Sequence, residues 1–245
     1  VFHRYAEDKR GIVPPFEKVS YDNAELLKCY AHAYAAFGTP LFRDVAEGII
    51  AWNFDVMCER ERGGFAASQD ADVGLHDDGD YFTWTADEAH ALLSAEEWAV
   101  ARRRWDIYPD GEMHHDPHKN VLWVARSIEA LVDELDVDAS RVRELLLSAK
   151  AKLKEARDRR PAPFVDRTIY VNWNAMMAEA FLDAGAVLGR EDCALFALKT
   201  LERLWTEGFV PGRGMPHRFT PPGTPHPVPG APFLLDDQVQ AASAF

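Results

Sequence analysis

The chain has 245 residues, and its 40 Asp and Glu residues outnumber its 27 Lys and Arg residues, giving a formal net charge of −13. This balance excludes a typical nucleic-acid-binding surface, because affinity for phosphate backbones depends on clustered basic side chains. Hydrophobic residues make up 47% of the chain, as in an ordinary globular protein with a substantial core. The apolar runs are far shorter than the roughly 20 residues that cross a bilayer, so no membrane partner is expected.

The three cysteines, Cys29, Cys58 and Cys193, are widely spaced and form no Cys-x-x-Cys pair. This usage favours a reducing compartment, so we expect buried thiols and a cytoplasmic protein. The chain does not open with Met or a signal peptide, and a helical pattern has just begun when it stops. We therefore expect a part of a longer polypeptide.

The clearest feature of the sequence is a repeat of a helical pattern. Apolar residues recur at helical spacing from Asn23 to Gly38 and again from Asn174 to Gly189, and Gly commonly follows a helix end. In each copy a second helical pattern follows and ends at a Gly-Phe pair. A third copy begins at 236–238. Recurrence of this kind predicts stacked helical hairpins.

Further helices are predicted between the two copies. Thr85 and Glu88 form a capping-box pattern ahead of a helix that reaches Leu93, and helices are also predicted over 96–105 and 138–160. The segment 80–84 has the pattern of a strand. The predicted fold class is mainly α, an α/α toroid with short β-hairpins in its connecting loops.

In a toroid of this kind the inner helices begin around a concave mouth, where polar residues can face a ligand. The residues predicted to lie there come from inner-helix starts and from one loop: Tyr21, Asp22, Asn23, Trp173, Asn174, Asp236, Asp237 and the loop 68–72. A structural alternative carries equal weight, in which Asp22, Asn172 and Asp236 are helix N-caps.

Several motifs in order resemble a known family. They are Phe2-His3-Arg4-Tyr5, the run from Val13 to Ala24, the run from Gly63 to Asp72, Asp80-Tyr81-Phe82-Thr83-Trp84, Arg157 with Arg160-Pro161, Trp173-Asn174-Ala175-Met176-Met177 and Leu235-Asp236-Asp237. Together they resemble the thioredoxin-domain-containing family that includes bacterial YyaL proteins and mammalian spermatogenesis-associated protein 20. The sequence departs from the family pattern at Pro15, at Val19-Ser20 and at Ala175.

The resemblance implies a six-hairpin-glycosidase-like (α/α)6 region that follows a thioredoxin-like domain in the parent chain. Residues 1–245 are accordingly expected to form a single toroid domain that lacks its last hairpins. Such an incomplete toroid would expose apolar helix flanks, so self-association is also predicted.

A sugar pocket requires aromatic rings for the apolar faces of the sugar and polar groups for its hydroxyls. The predicted substrate-binding residues are Arg4, Tyr5, Tyr21, Asn23, Tyr81, Trp84, Trp173, Asn174 and Asp236, with Phe65 as a further aromatic. Glycoside hydrolysis would use two carboxyl groups, and the candidates are Glu17, Asp70 and Asp72, followed by Asp22 and Asp236. Alternatively, Glu17 pairs with Arg4 or Lys18, and the carboxylates of Asp70 and Asp72 bind backbone amides in a turn.

Epimerisation or isomerisation would instead require groups that move protons, most often histidines, and the candidates are His3 and His217. No cofactor is predicted. The cluster His114-His115-Asp116-Pro117-His118 does not have good ligand spacing, so no metal site is predicted either. The leading hypothesis is a sugar-acting or sugar-binding domain, and the alternative is a non-catalytic helical module that presents clients to an attached thioredoxin-like domain.

Overall fold

A computed structural model describes residues 1–75, 77–219 and 232–245. Within these ranges the chain forms nine α-helices: α1 (Ser20–Phe37), α2 (Pro40–Trp52), α3 (Ala86–Leu92), α4 (Ala95–Arg104), α5 (Ile128–Leu135), α6 (Ala139–Arg157), α7 (Val171–Leu188), α8 (Glu191–Arg203) and α9 (Leu235–Ala244). Helix α5 was not predicted from the sequence. Helices α2 and α8 each continue into one π-helical turn, Asn53–Met57 and Leu204–Gly208.

The strands are two residues long and all pair antiparallel. β1 (Lys18–Val19), β2 (Ser68–Gln69) and β5 (Val165–Asp166) form one small sheet with β2 in the centre. β3 (Trp84–Thr85) pairs with β4 (Lys119–Asn120), and β6 (Ile169–Tyr170) pairs with β7 (Arg218–Phe219). The strand predicted over 80–84 is wrong except at Trp84, because the backbone amides of Phe82 and Thr83 both donate to the carbonyl of Gly79 and form a turn.

Contacts divide the chain into two compact units, and each is described by itself. The first unit comprises Val1–Arg4, Glu17–Asp70 and Val165–Phe245, and the second comprises Tyr5–Phe16 and Ala71–Phe164. The expectation of one toroid domain over 1–245 stays a prediction.

The first unit contains the repeated hairpins. α1 and α2 form one hairpin and α7 and α8 another, and the turns between them use Gly38 and Gly189 in the left-handed conformation with φ of 64° and 71°. α7 packs against both α1 and α9, so these three inner helices lie side by side. Phe65 and Phe181 lie fully buried in their common core. This succession of hairpins around adjacent inner helices confirms the predicted fold class, a mainly α protein of the α/α toroid type.

An asparagine in the fourth position of α7 fastens this helix to a distant segment. The side-chain amide of Asn174 accepts a hydrogen bond from the backbone nitrogen of Phe65 at 2.7 Å and donates to the backbone oxygen of Phe65 at 3.0 Å. It also donates to the backbone oxygen of Tyr170, the residue before the helix, at 2.9 Å. We call this pattern, in which one amide binds both backbone groups of one distant residue, the amide clasp.

Asn23 forms the same clasp in α1. Its amide accepts from the backbone nitrogen of Phe2 at 2.9 Å, donates to the backbone oxygen of Phe2 at 3.1 Å and donates to the backbone oxygen of Val19 at 3.0 Å. Asn23 and Asn174 are both almost completely buried. The repeat seen in the sequence is therefore also a repeat of hydrogen bonds.

The N-cap alternative for Asp22, Asn172 and Asp236 is wrong. The residues in the N-cap positions of α1, α7 and α9 are Val19, Tyr170 and Leu234, and none of them makes a side-chain cap hydrogen bond. The three polar residues lie two or three positions further on, within the first helical turn. The first backbone amides of α1 and α7 bind neighbouring segments instead, since Ser20 donates to the carbonyl of Ala67 and Val171 donates to the carbonyl of His217.

The second unit contains α3 to α6. The capping box predicted at Thr85 and Glu88 is confirmed, and α4 begins with another at Ser94 and Glu97. The Arg160 guanidinium lies 4.0 Å from the centre of the Trp84 ring and donates to three backbone carbonyls, those of residues 80, 81 and 83. This arginine therefore closes the turn that precedes β3.

An ion pair between the buried carboxylate of Glu97 and the partly exposed Lys152 links α4 to α6 within the second unit. The Glu97 carboxylate accepts from Lys152 Nζ at 2.7 and 2.8 Å and from Ser148 Oγ at 2.6 Å. These hydrogen bonds, first from Lys152 and then from Ser148, lower the pKa of Glu97 to about 2. The carboxylate is 6% exposed.

The cysteines differ from the expectation at one position. Cys193 is buried and Cys58 half-buried, but Cys29 is exposed on α1. Burial raises the pKa of the Cys193 thiol to about 12, which disfavours the reactive thiolate. Among the described residues, none of the helices combines the length and the apolarity needed to cross a bilayer.

Replacing Asn174 by Ala should destabilise the protein by about 3 kcal/mol, because both backbone groups of the fully buried Phe65 lose their partner. Asn23→Ala is the matched comparison and should cost about 1 kcal/mol, because water can reach the half-buried Phe2. Urea unfolding measures both values. Equal losses for the two variants would contradict this ranking.

Replacing Glu97 by Gln should destabilise the protein at pH 7 by about 2 kcal/mol. Because the folded-state pKa is lowered, the carboxylate's contribution is fully present above its ordinary pKa of 4.5 and is lost as the pH falls through about 2. The difference between variant and wild type should therefore shrink in guanidinium unfolding series run from pH 5 downwards.

The matched control is Glu96→Gln, which removes a neighbouring but largely exposed carboxylate paired with Arg141. This change should cost less than about 0.5 kcal/mol. A deficit in Glu97→Gln that stays constant between pH 7 and pH 3 would show that the ion pair is not the source of the stability.

Candidate functional site

A histidine and a buried aspartate form the chemical centre of the first unit. His217 precedes β7, and Asp237 lies in the first turn of α9. The Nδ1 atom of His217 is 3.1 and 3.2 Å from the two carboxylate oxygens of Asp237. Asp237 is completely buried, whereas the His217 ring is 27% exposed. Because the carboxylate holds Nδ1, the Nε2 atom is the ring nitrogen suited to exchange protons with a ligand.

Burial determines the electrostatics of Asp237. Loss of water raises the pKa of this carboxyl, and the opposing influences come from His217 and from backbone amides that donate to it. One of those amides belongs to Asn172, at 3.3 Å. A buried carboxylate beside a helix start is stabilised by these donors and by the positive end of the helix dipole.

The start of α7 is held by polar groups from α9. Asn172 Nδ2 donates to Asp236 Oδ2 at 2.5 Å, and Asn172 Oδ1 accepts from the backbone nitrogen of Trp173 at 2.9 Å. Together with the bond to Asp237, these contacts satisfy amides that a helix leaves without partners at its start. Asp236 and Asp237, which belong to α9, therefore stabilise the start of the neighbouring helix α7.

Three aromatic rings connect the starts of α1 and α7 to His217. Tyr21 lies 5.0 Å from Trp173, Trp173 lies 4.7 Å from Tyr170, and Tyr170 lies 5.1 Å from His217, measured between ring centres. All four rings are partly exposed. We call Tyr21, Trp173, Tyr170 and His217 the aromatic row.

An arginine between two carboxylates lies beside the other end of this row. Arg4 Nη1 is 3.2 Å from Glu17 Oε2, and Arg4 Nε is 3.9 Å from Asp22 Oδ2. The pairing of Glu17 with Arg4, proposed as the structural alternative, is therefore confirmed. Burial raises the pKa of Asp22, although Arg4 acts in the opposite direction.

The site has the charge pattern of a surface that does not attract anions. Helix starts ordinarily favour phosphate or other anions. Here, however, carboxylates already occupy them: Asp22 in α1, and Asp236 and Asp237 in α9, with the latter two also bound to the start of α7. The arrangement suits an uncharged polar ligand better than a phosphorylated one.

Of the predicted site residues, the structure brings one group together along these helix starts: Arg4, Glu17, Tyr21, Asp22, Trp173 and Asp236. Asn23 and Asn174 lie beneath them, but their amides are engaged in the two clasps. Phe65 is fully buried in the core. His3 is half-buried beside Arg4, and Asp70 is exposed just after β2. Catalytic or binding roles for all of these residues stay predictions.

Four predicted residues lie in the second unit: Tyr5, Asp72, Tyr81 and Trp84. Asp72 accepts from the backbone nitrogen of Gly79 at 3.2 Å, as the turn alternative requires. Trp84 is 3% exposed and packs in the core of this unit, while Tyr5 is 60% exposed. Tyr81 packs against Phe82. Their roles in ligand binding also stay predictions.

The histidine-rich loop of the second unit is fastened by ordinary side-chain contacts. His115 lies 2.9 Å from Asp80, and His118 Nδ1 lies 3.0 Å from the carbonyl oxygen of Pro109. Over the ranges that the structure describes, no group of three or more His, Cys, Asp or Glu side chains is arranged to hold a metal ion.

Sequence reasoning missed the most important partner in the site. The sequence predicted Asp237 at the concave mouth beside Asp236 and His217 as one of two candidate proton-transfer histidines, but it did not predict that they pair. Tyr170 and Asn172 were not singled out as ligand-facing residues. The available signal was the position of the Asp-Asp pair at an inner-helix start, but residue spacing alone does not show that Asp237 meets His217, 20 residues earlier.

Comparisons with solved structures give weak matches. The chain is 12% identical to a D-mannose isomerase, over 84% of this chain and 45% of that one, with a TM-score of 0.29. It is 15% identical to cellobiose 2-epimerase from Spirochaeta thermophila, over 95% and 70% of the two chains, with a TM-score of 0.27. No protein-family model matches the chain.

Comparisons with curated sequences are more informative. The chain is 32% identical to human spermatogenesis-associated protein 20 over 91% of its own length, and 32% identical to the mouse protein over 78%. It is 26% identical to an uncharacterized protein, B0495.5, of Caenorhabditis elegans over 75%. The chain spans 31%, 27% and 28% of these three relatives. The resemblance inferred from the motifs is thus confirmed, and the chain belongs with one region of the spermatogenesis-associated protein 20 family.

Proposed function

We propose that the first unit binds a free, unphosphorylated sugar at the starts of its inner helices and catalyses its epimerisation or isomerisation. The observation that carries this proposal is the pairing of His217 with the buried Asp237. In a neutral imidazole whose Nδ1–H donates to a carboxylate, Nε2 carries the lone pair and can accept a proton.

The proposed reaction takes a proton from the carbon next to the carbonyl of the open-chain sugar. Nε2 of His217 accepts this proton, and the electrons of the C–H bond form an enediolate. A water molecule that protonates the opposite face of the same carbon gives the epimer, and the hydroxide formed takes the proton back from the imidazolium. Return of the imidazolium proton to the neighbouring carbon gives the isomer. Asp237 stabilises the imidazolium that exists between the two transfers, as a carboxylate does in other His-dependent enzymes.

The surroundings of His217 support a sugar as the ligand. The partly exposed rings of Tyr21, Trp173 and Tyr170 can cover the apolar face of a sugar, since such rings combine a large apolar surface with a polar edge. The Asp236 carboxylate can accept hydrogen bonds from hydroxyl groups. The carboxylates at the helix starts disfavour sugar phosphates, because like charges repel most strongly where water is partly excluded.

A second candidate reaction is glycoside hydrolysis, and one observation favours it. Asp22 has a raised pKa, and Glu17 lies closer than Asp22 to the shared Arg4, so one carboxyl is suited to the protonated form and the other is held by a cation. Hydrolases use such a division of roles. Release of the aryl group from aryl glycosides, lost in Asp22→Asn, would support hydrolysis over proton transfer at carbon.

Exchange of substrate hydrogen with solvent tests the leading proposal. The protein is incubated in D2O with free D-mannose, D-glucose, N-acetylglucosamine and cellobiose, and with the 6-phosphates of the first two. Nuclear magnetic resonance then follows deuterium at C2. We expect exchange with at least one free sugar and less with its phosphate. His217→Asn should slow exchange by about 100-fold or more, because the proton acceptor is lost.

His32→Asn is the matched control, because His32 forms a comparable pair with Asp183, at 3.0 Å, on the exposed part of the same unit. This variant should exchange at the wild-type rate. Absence of exchange with every sugar would reject the isomerase proposal. Undiminished exchange in His217→Asn would reject His217 as the base.

A further inference from the structure

A third amide clasp binds Met215, two residues before the proposed catalytic histidine. Gln238 Oε1 accepts from the backbone nitrogen of Met215 at 2.8 Å, and Gln238 Nε2 donates to the backbone oxygen of Met215 at 2.6 Å. Nε2 also donates to the backbone oxygen of Leu234, the residue before α9, at 3.1 Å. Gln238 therefore binds both backbone groups of one distant residue and the carbonyl that precedes its own helix.

This arrangement repeats what Asn23 and Asn174 do. Each of the three residues is the fourth in an inner helix, and each makes the same three kinds of hydrogen bond. The clasped residues are also equivalent in α7 and α9, because Phe65 and Met215 both follow a glycine in the segment after an outer helix. The recurrence shows that the clasp belongs to the repeating unit of the fold.

The clasp on Met215 fixes the segment that carries His217, two residues further on. The backbone of His217 is held on both sides, since its nitrogen donates to the carbonyl of Pro232 at 2.7 Å and its oxygen accepts from Val171 at 3.0 Å. In the equivalent clasp Asn23 binds Phe2, and Arg4 follows Phe2 by two residues, as His217 follows Met215. In these two of the three clasps the side chain that follows by two residues lies in the proposed site.

The close approach of the amide depends on a glycine. Gly214 has φ of +91°, and a Cβ atom at this position would lie 2.1 Å from Gln238 Oε1. Gly214 also pairs with Val210, exchanging two backbone hydrogen bonds of 2.9 Å. Only a residue without a side chain permits this turn and leaves room for the clasp.

We infer that Gln238 is a positioning residue for His217, which keeps the imidazole facing Asp237 by fixing the backbone of Met215. Asp237 and Gln238 are adjacent in α9, so the same helical turn holds both the imidazole and the segment that carries it. Met215 is 3% exposed, and its backbone groups have little access to water when the amide is removed. The segment must then shift to find new partners, and His217 moves with it.

The inference rests on the proposed function, but its first test does not require activity. Gln238→Met keeps the length of the side chain and removes all three hydrogen bonds. In proton nuclear magnetic resonance spectra, the Nδ1–H of an imidazole bound to a carboxylate gives its own resonance. The resonance that disappears in His217→Asn belongs to His217. We expect wild type to show this resonance and Gln238→Met to lose or displace it, and Gln240→Met, on the same helix, to retain it.

Kinetics provide the second test. For the sugar that exchanges deuterium, kcat should fall about 30-fold in Gln238→Met with KM nearly unchanged, because small displacements of a reacting group strongly slow proton transfer. The rings of Tyr21, Trp173 and Tyr170, which are proposed to bind the sugar, are untouched by the substitution. Gln240→Met should behave like wild type.

The outcomes separate the two proposals. An unaltered His217 resonance in folded Gln238→Met overturns the positioning role, whatever the activity. Loss of the resonance in a protein that exchanges no sugar supports the positioning role and rejects the proposed reaction. If Gln238→Met does not fold, Gln238→Glu replaces it, because its carboxylate still accepts from Met215 but cannot donate. A wild-type resonance and kcat in Gln238→Glu would then overturn the inference.

Discussion

The amide clasp is the interaction on which the first unit depends. A helix starts with amides that have no partner inside the helix, and the segments between helices carry backbone groups that are costly to bury without hydrogen bonds. One side-chain amide in the fourth helical position addresses the second problem, because it offers a donor and an acceptor to the same distant residue. Asn23, Asn174 and Gln238 each do so. The clasp thereby fixes which segment lies over which inner helix.

The proposed chemistry follows from this framework. With Met215 fixed, His217 reaches the first turn of α9, where Asp237 is buried and its pKa is raised. The same turn supplies Asp236, which binds Asn172 at the start of α7. Helix starts that would otherwise attract phosphate thus carry carboxylates, and partly exposed aromatic rings lie between them. A general base, apolar ring faces and hydroxyl-binding groups are the components that a sugar isomerase or epimerase requires.

Much of the fold was predictable because its signals are local. The Asn-to-Gly helical patterns correspond to α1 and α7, each ended by a left-handed glycine, and the Thr85–Glu88 capping box precedes α3 as predicted. The failures arose where contacts with distant segments decide the structure. The apolar aromatic pattern over 80–84 has the appearance of a strand, but hydrogen bonds to Gly79 and the reach of Arg160 turn it instead. The three polar residues expected as N-caps lie inside the helices, where neighbouring segments satisfy the first amides.

The sequence by itself determined the helical hairpins, their repeat, the family and the polar character of the inner-helix starts, since periodicity, glycine positions and short motifs act over a few residues. Only the tertiary structure decided what those polar side chains do. Asn23 and Asn174 became backbone clasps while Asp237 became the partner of His217, because each role depends on a segment from another part of the chain. The physical reason is that packing between hairpins sets burial and hydrogen-bond partners. Residue spacing within one helix does not indicate which loop will pack against that helix.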